Sequence, residues 1–145
     1  MKMIHLTEEI ISEIKSHGEK TYPEECCGIL LGKFEIDKKF VFEILKIENS
    51  RETERERRFL ITPQDYIKAE RYAREKGFDI VGIYHSHPDH PAKPSDYDRE
   101  HALPFLSYII VSVENGITKE INSWVLSEDR VKFEFEEIKI KNKTK

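Results

Sequence analysis

The stretch Ile80-Val81-Gly82-Ile83-Tyr84-His85-Ser86-His87-Pro88-Asp89-His90-Pro91-Ala92-Lys93-Pro94-Ser95-Asp96-Tyr97-Asp98 decides how this chain reads. It passes from an apolar, β-branched segment through a polar loop into a helix-like segment, packing three imidazoles, three carboxylates and two serines into the last fourteen positions. Strand side chains alternate with period two, so His85 and His87 at the end of an extended segment project to the same side. That is a metal-ligand spacing. A catalytic zinc takes three protein ligands, keeps a fourth position for water and lowers that water's pKa to about 7. His85, His87 and one nearby carboxylate would make such a site, although a bare H-x-H also fits an ordinary polar turn. Ser95-x-x-Asp98 matches a helix capping box, which gives Asp98 a second role. Asp89 and Asp96 are alternative oxygen ligands, and His90 and His101 alternative imidazoles. Local spacing does not rank them.

Working outward, Phe78 to Tyr84 is the strand that delivers the histidines, and Ser95 to Leu103 a short helix closed by Pro104. Upstream, Thr62-Pro63-Gln64-Asp65 predicts a helix start, with a capping hydroxyl, proline at the first helical position and an acid in the first turn. Tyr66, Ile67, Ala69, Tyr72 and Ala73 form its expected inner face, and Gly77 its end. Phe59-Leu60-Ile61 is read as a brief strand. Before it, Glu48 to Arg58 has no apolar side chain and reads as a solvated loop. Cys27 to Gly32 is a nearly uninterrupted apolar run, the pattern of a strand buried on both faces. Asp37-Lys38-Lys39 turns it into a second strand, Phe40 to Ile47. At the N-terminal end Thr7 caps a helix with Glu8 and Glu9 in its first turn, Ile10, Ile11 and Ile14 on one face and Gly18 as its stop. Downstream, Leu106 to Val113 and Glu120 to Leu126 are strands joined through Asn115-Gly116. Arg130 to Ile140 is the last strand, whose change of apolar phase suggests a bulge near Glu136-Glu137. Residues 141–145 are a short basic tail.

A chain of 145 residues suits one domain that buries about 68–70% of the surface its unfolded form exposes. The expected class is α/β (α+β), a single domain over residues 1–140 with a mixed, largely antiparallel sheet flanked by helices. With 28 acidic and 24 basic residues the net charge is -4, so no global basic field points to nucleic acid or a membrane surface. The two cysteines, Cys26 and Cys27, are adjacent and cannot staple distant parts of the chain. The first residues lack a signal-peptide pattern and no apolar run approaches the roughly 18 residues of a membrane span, so the expected location is cytoplasmic.

The run from His85 to Asp98 fits H-x-H-x(7)-S-x(2)-D, which resembles the metal-binding signature of the JAMM/MPN+ metalloprotease family, zinc isopeptidases and peptidases acting on ubiquitin and ubiquitin-like proteins. Pro23-Glu24-Glu25-Cys26-Cys27-Gly28 is similar to the P-x-E-x-C-G segment that carries the family's catalytic glutamate, especially in small prokaryotic members. Asn49, Phe59-x-Ile61-x-Pro63, Gly82-Ile83-Tyr84 and Val111-Ser112 also stand where those members tend to have such residues. The likeness spans nearly the whole chain.

The resemblance implies the MPN, cytidine-deaminase-like fold and one zinc per chain, with His85, His87 and Asp98 as its ligands. It implies Glu25 as general base and then general acid, and Ser95 as a hydrogen-bond donor to the oxyanion. Spacing alone leaves Glu24 and Glu25 equivalent; the register of Pro23 and Gly28 in the family pattern selects Glu25. Cys27 falls where the family often has a cysteine, and a small apolar side chain at a buried strand's start accounts for it. The loop from Arg51 to Arg58 occupies the region of a family insertion that holds the substrate's C-terminal tail, which makes Arg55, Arg57 and Arg58 candidate substrate contacts. The implied partner is a ubiquitin-like or sulfur-carrier protein, joined through its C-terminal glycine to a lysine or to a small amine such as cysteine. A non-catalytic MPN scaffold and a hydrolase of an unrelated small amide are the alternative readings.

Overall fold

A computed structural model describes residues 2–141. Along the chain run β1 (Met3–Thr7), α1 (Glu8–Thr21), β2 (Cys27–Glu35), β3 (Lys38–Ile47), α2 (Pro63–Lys76), β4 (Asp79–Pro88), α3 (Asp96–His101), β5 (Ser107–Glu114), β6 (Ile117–Leu126) and β7 (Phe133–Lys141). The strands close into a barrel in the order β1-β3-β2-β4-β5-β6-β7. β4 runs parallel to β5, and β1 parallel to both β3 and β7; the other pairings are antiparallel. This is the mixed, helix-flanked sheet expected from the sequence.

Each helix starts where its capping chemistry starts. Thr7 Oγ1 accepts from Ile10 N at 3.1 Å. Thr62 and Asp65 form a reciprocal capping box with Pro63 at the first turn, and Gly77 closes α2 in the left-handed conformation at φ 77. Ser95 and Asp98 form a second capping box at α3.

β2 and β4 are buried on both faces because the two helices lie on opposite sides of the sheet. Leu30, Val81 and Tyr84 pack with Ile4, Leu6 and the α1 residues Ile10, Ile11 and Ile14. Ile29, Leu31 and Ile83 pack with Ala69 and Ala73 of α2. Gly28 makes room for this arrangement, since a Cβ there would lie 2.1 Å from the Tyr84 ring. The Tyr84 hydroxyl then reaches His17 Nδ1 at 2.7 Å.

Several elements depart from the sequence reading. β1 had no sequence signal of its own, being five residues that pair on both sides. Phe59-Leu60-Ile61 is not a strand; Leu60 is tied instead to Ser50 and Asn49. α1 continues past Gly18, which is buried against Val113 and Ser86. Ile67 is 54% exposed rather than part of the inner face of α2. β7 starts at Phe133, and its pairings show no register shift over the described residues. Its phase is instead set by Glu136 turning inward while Phe135 faces out. Lys141 is the end of β7, paired with Thr7; the rest of the expected tail, 142–145, lies outside the described residues. Among the described residues no helix is long and apolar enough to cross a membrane.

Candidate active site

The site forms where β4 ends. Antiparallel pairing sets Cys27 of β2 opposite His85, and parallel pairing sets Ile110 of β5 opposite it on the other side. Central strands therefore fix the histidine-bearing backbone. Ser86, between the histidines, locks the β2 entry: Cys26 N donates to Ser86 Oγ at 2.8 Å and Ser86 N to Cys26 O at 3.2 Å. Glu25 stands immediately before that clamp, after a cis Tyr22–Pro23 bond.

His85 and His87 point to the same side, their Nε2 atoms 3.2 Å apart. Asp98 Oδ2 lies 3.4 Å from the first and 3.2 Å from the second. A tetrahedral ion with bonds of about 2.0–2.1 Å would hold its ligands about 3.3–3.4 Å apart, so these spacings are those of a ligand set. The donor chemistry agrees. His87 Nδ1 is engaged by the Pro91 carbonyl at 2.9 Å, a contact that puts the proton on Nδ1 and frees the Nε2 lone pair. His85 is 1% exposed and stacks on Phe59 at 4.6 Å between ring centroids. Burial holds its pKa below the ordinary histidine value in spite of Asp98, keeping the ring neutral. Burial works against the charge of Asp98, but the two imidazoles beside it hold its carboxyl well below the usual range. A divalent cation fits this set of two imidazoles and one carboxylate.

Glu25, His87 and Ser95 line one cleft of about 390 Å³, whose rim carries Arg57, Arg58, His90, Lys93, Asp96 and Tyr97. Glu25 is 3% exposed and its Oε1 has no hydrogen-bond partner. Burial, reinforced by the Asp98 carboxylate, pushes its pKa up to about 9. Ser95 Oγ accepts from Asp98 N at 3.1 Å, which leaves its own proton free to be donated into the cleft. On their other side, His85 and Asp98 border a smaller cavity of about 170 Å³ with Phe59, Leu60, Tyr66, Tyr97 and Tyr108.

The alternatives separate in the same geometry. Asp89 accepts from the Tyr22 hydroxyl at 2.6 Å and from Asn115 N at 3.1 Å, and His101 stacks on Tyr97. His90 and Asp96 stay at the rim. Glu24 borders a separate cavity behind Glu25, and so does Arg55, whose guanidinium donates to the Arg51 carbonyl. Of the three loop arginines only Arg57 and Arg58 face the cleft, and both pair with Glu54 of their own loop. Phe59, Tyr97 and Glu54 had drawn no role from the sequence. Glu54 is one of three glutamates among the four arginines from Arg51 to Arg58, and nothing local separated it from Glu52 and Glu56.

A mixed barrel with two helices on opposite faces, and at the end of a central strand a His-His-Asp group that could hold a metal ion, defines a domain of the MPN type. Residues 7–127 match the family described as prokaryotic homologs of the JAB domain, and the chain belongs to that family. It is 32% identical over 116 residues to a desampylase of Pyrococcus furiosus, covering 80% of this chain and 74% of the relative. It is 26% identical over 112 residues to a probable TtuB-protein conjugate cleaving protease of Thermus thermophilus, covering 77% and 72%. A tail tip assembly protein K of Escherichia phage N15 is 30% identical over 117 residues, but the match spans only 44% of that longer protein. Among solved structures, a Desulfitobacterium hafniense protein superposes with a TM-score of 0.85 at 30% identity, covering 97% of this chain and 94% of its own. A JAB1/MPN domain protein of Archaeoglobus fulgidus, at 17% identity and a TM-score of 0.55, shares the fold.

Proposed function

We propose that this chain is a zinc-dependent isopeptidase or peptidase that hydrolyses the amide bond at the C-terminal glycine of a ubiquitin-like or sulfur-carrier protein. The observation that carries the reading is a buried Glu25 carboxyl, its Oε1 unpartnered, on the same cleft as His87, which converges with His85 and Asp98. The relatives named for conjugate cleavage and as desampylases support the substrate class.

His85, His87 and Asp98 would hold the zinc, which when bound supplies Lewis acidity and a more acidic water. Glu25 takes the proton of the attacking water and returns it to the leaving amine, the transfer that amide hydrolysis requires. Its burial raises its proton affinity toward that of the groups it must exchange with. Ser95 Oγ donates to the oxygen of the scissile carbonyl as negative charge develops there. Arg57 and Arg58 share a single carboxylate, Glu54, so the loop keeps an excess of positive charge over the cleft for an acidic surface or tail of the carrier.

A non-catalytic scaffold accounts less well for Glu25. Leaving a buried acceptor unsatisfied costs about 1–3 kcal/mol, which a binding module would shed by substitution. The test incubates the purified protein, assayed for metal by mass spectrometry, with carrier fusions bearing a lysine isopeptide or a cysteine adduct. Cleavage after the terminal glycine, lost in Glu25→Gln while about one zinc per chain remains, is the expected result. Full activity in Glu25→Gln, or absence of stoichiometric metal from the active protein, would overturn the assignment.

A further inference from the structure

The Glu25 side chain has no anchor of its own at Oε1, so what aims it must act through the backbone. Glu25 precedes β2 and is not held by the sheet ladder. Its N–H donates to the Arg55 carbonyl at 2.7 Å, and its carbonyl accepts from Asn49 Nδ2 at 3.1 Å. Both backbone groups of the base are therefore held by the segment that follows β3.

We propose that Asn49 is a positioning residue for catalysis, the knot through which the loop from 50 to 60 aims Glu25; this rests on the reading of Glu25 as the proton carrier. Besides its bond to Glu25, Asn49 Nδ2 donates to the Arg58 carbonyl at 2.9 Å, and Asn49 Oδ1 accepts from Arg51 N and Leu60 N, each at 3.1 Å. Two carbonyls face the nitrogen and two N–H groups face the oxygen, so the orientation of the amide is fixed by its partners and its hydrogen-bonding capacity is fully used. No other side chain of the twenty meets that demand at this length, since it needs two donors and an acceptor on one planar group. The far end of the loop is fastened as well. Glu54 gathers Arg51, Arg57 and Arg58, the Arg58 guanidinium lies 4.4 Å over the Tyr97 ring, and Arg51 donates to the Tyr97 hydroxyl at 3.3 Å. Tyr97 precedes Asp98. One short loop thus ties the base to the helix that carries a metal ligand.

The test is Asn49→Asp, which keeps the accepted bonds and sets a carboxylate oxygen against the carbonyls of Glu25 and Arg58. Asn49→Ser, which keeps one donor without the added charge, serves if the first variant folds poorly. Misplacing a catalytic group by about 1 Å costs on the order of 100-fold in rate. The expected result is a kcat reduced about 100-fold, a KM for a carrier-tail peptide changed less than about threefold, and zinc content equal to wild type. Deuterium uptake at 24–27 and 50–60 should rise while β4 and β5 keep their protection. In single-turnover assays the same substitution made in Glu25→Gln should cost less than about threefold, because residues that act as a unit are not additive. A kcat near wild type, multiplying effects in the double variant, or a loss of protection across the whole barrel would each overturn the proposal. The exchange measurement needs no substrate. If the wild-type protein cleaves no conjugate, the substrate reading fails while the coupling of Asn49 to Glu25 is still decided by exchange.

Discussion

Replacing Lys39 by methionine should destabilise the barrel heavily without touching the site. Lys39 Nζ lies 3.3 Å from Glu136 Oε2, and the two side chains are 10% and 1% exposed. Glu136 Oε1 accepts from Ser107 Oγ at 2.6 Å and Ser123 Oγ at 2.7 Å. The four residues come from β3, β5, β6 and β7, and Ser107 opens β5 and pairs with Gly82 of β4, three residues before His85. Burial lowers the Lys39 pKa despite the neighbouring carboxylate, so Glu136 does not fully offset the desolvation of the ammonium. Removal of the pair as a unit should then be cheap, and its halving expensive. Breaking a buried pair by deleting one partner costs about 3–5 kcal/mol. At about 3 °C per kcal/mol for a domain of this size, that lowers Tm by roughly 10–15 °C. Lys39→Met/Glu136→Gln should recover most of the loss, because the glutamine oxygen still accepts both serine hydroxyls. Urea denaturation and calorimetry of the three proteins measure these differences, and activity per folded molecule should stay at wild type. A single variant within about 1 kcal/mol of wild type, or a double variant no better than the single, would refute the reasoning.

Three further outcomes concern the site. With Glu25 pushed from 4.5 to about 9 in the metal-free protein, its contribution to stability is complete below about 4.5 and is lost as the pH climbs toward 9. Chelated Glu25→Gln should therefore gain on chelated wild type by several kcal/mol over that window, at about 1.4 kcal/mol per unit, and parallel urea stability curves would contradict this. Ser95→Ala should cost about 1 kcal/mol of stability through the lost cap and about 100-fold or more in kcat through the lost donor, with Ser95→Thr restoring both; an unchanged kcat would remove the oxyanion role. Arg57→Glu should raise KM for a protein conjugate while sparing a short tail peptide, and equal kinetics on both would exclude the loop from substrate recognition.

What could be read from the chain follows from how local each determinant is. The capping boxes at Thr62 and Ser95, the left-handed Gly77, the Asn115-Gly116 turn and the two-residue spacing of the histidines are written within four residues, and each appears as expected. The match of Glu25 to a site sixty residues away came from resemblance, since local chemistry did not separate it from Glu24. Barrel closure was not legible. It depends on β1 pairing with two strands at once and on β7 passing from β6 to β1, and both are long-range choices. The inward turn of Glu136 defeated the apolar-phase argument for β7, because a buried acid satisfied by Lys39 and two serines carries no hydrophobic signal. Ile67 misled for the opposite reason, an apolar side chain on the exposed face of α2.

Asp98 Oδ2 accepts from the Ser95 backbone N–H at 2.9 Å and is the same oxygen that faces both histidines. α3 has six residues, well below the length at which a helix sustains itself in water. Folding of this segment and assembly of the ligand set therefore draw on a single atom. Loss of that oxygen would be two failures at once, a frayed helix and a broken His-His-Asp group, and genetics at position 98 alone cannot separate them.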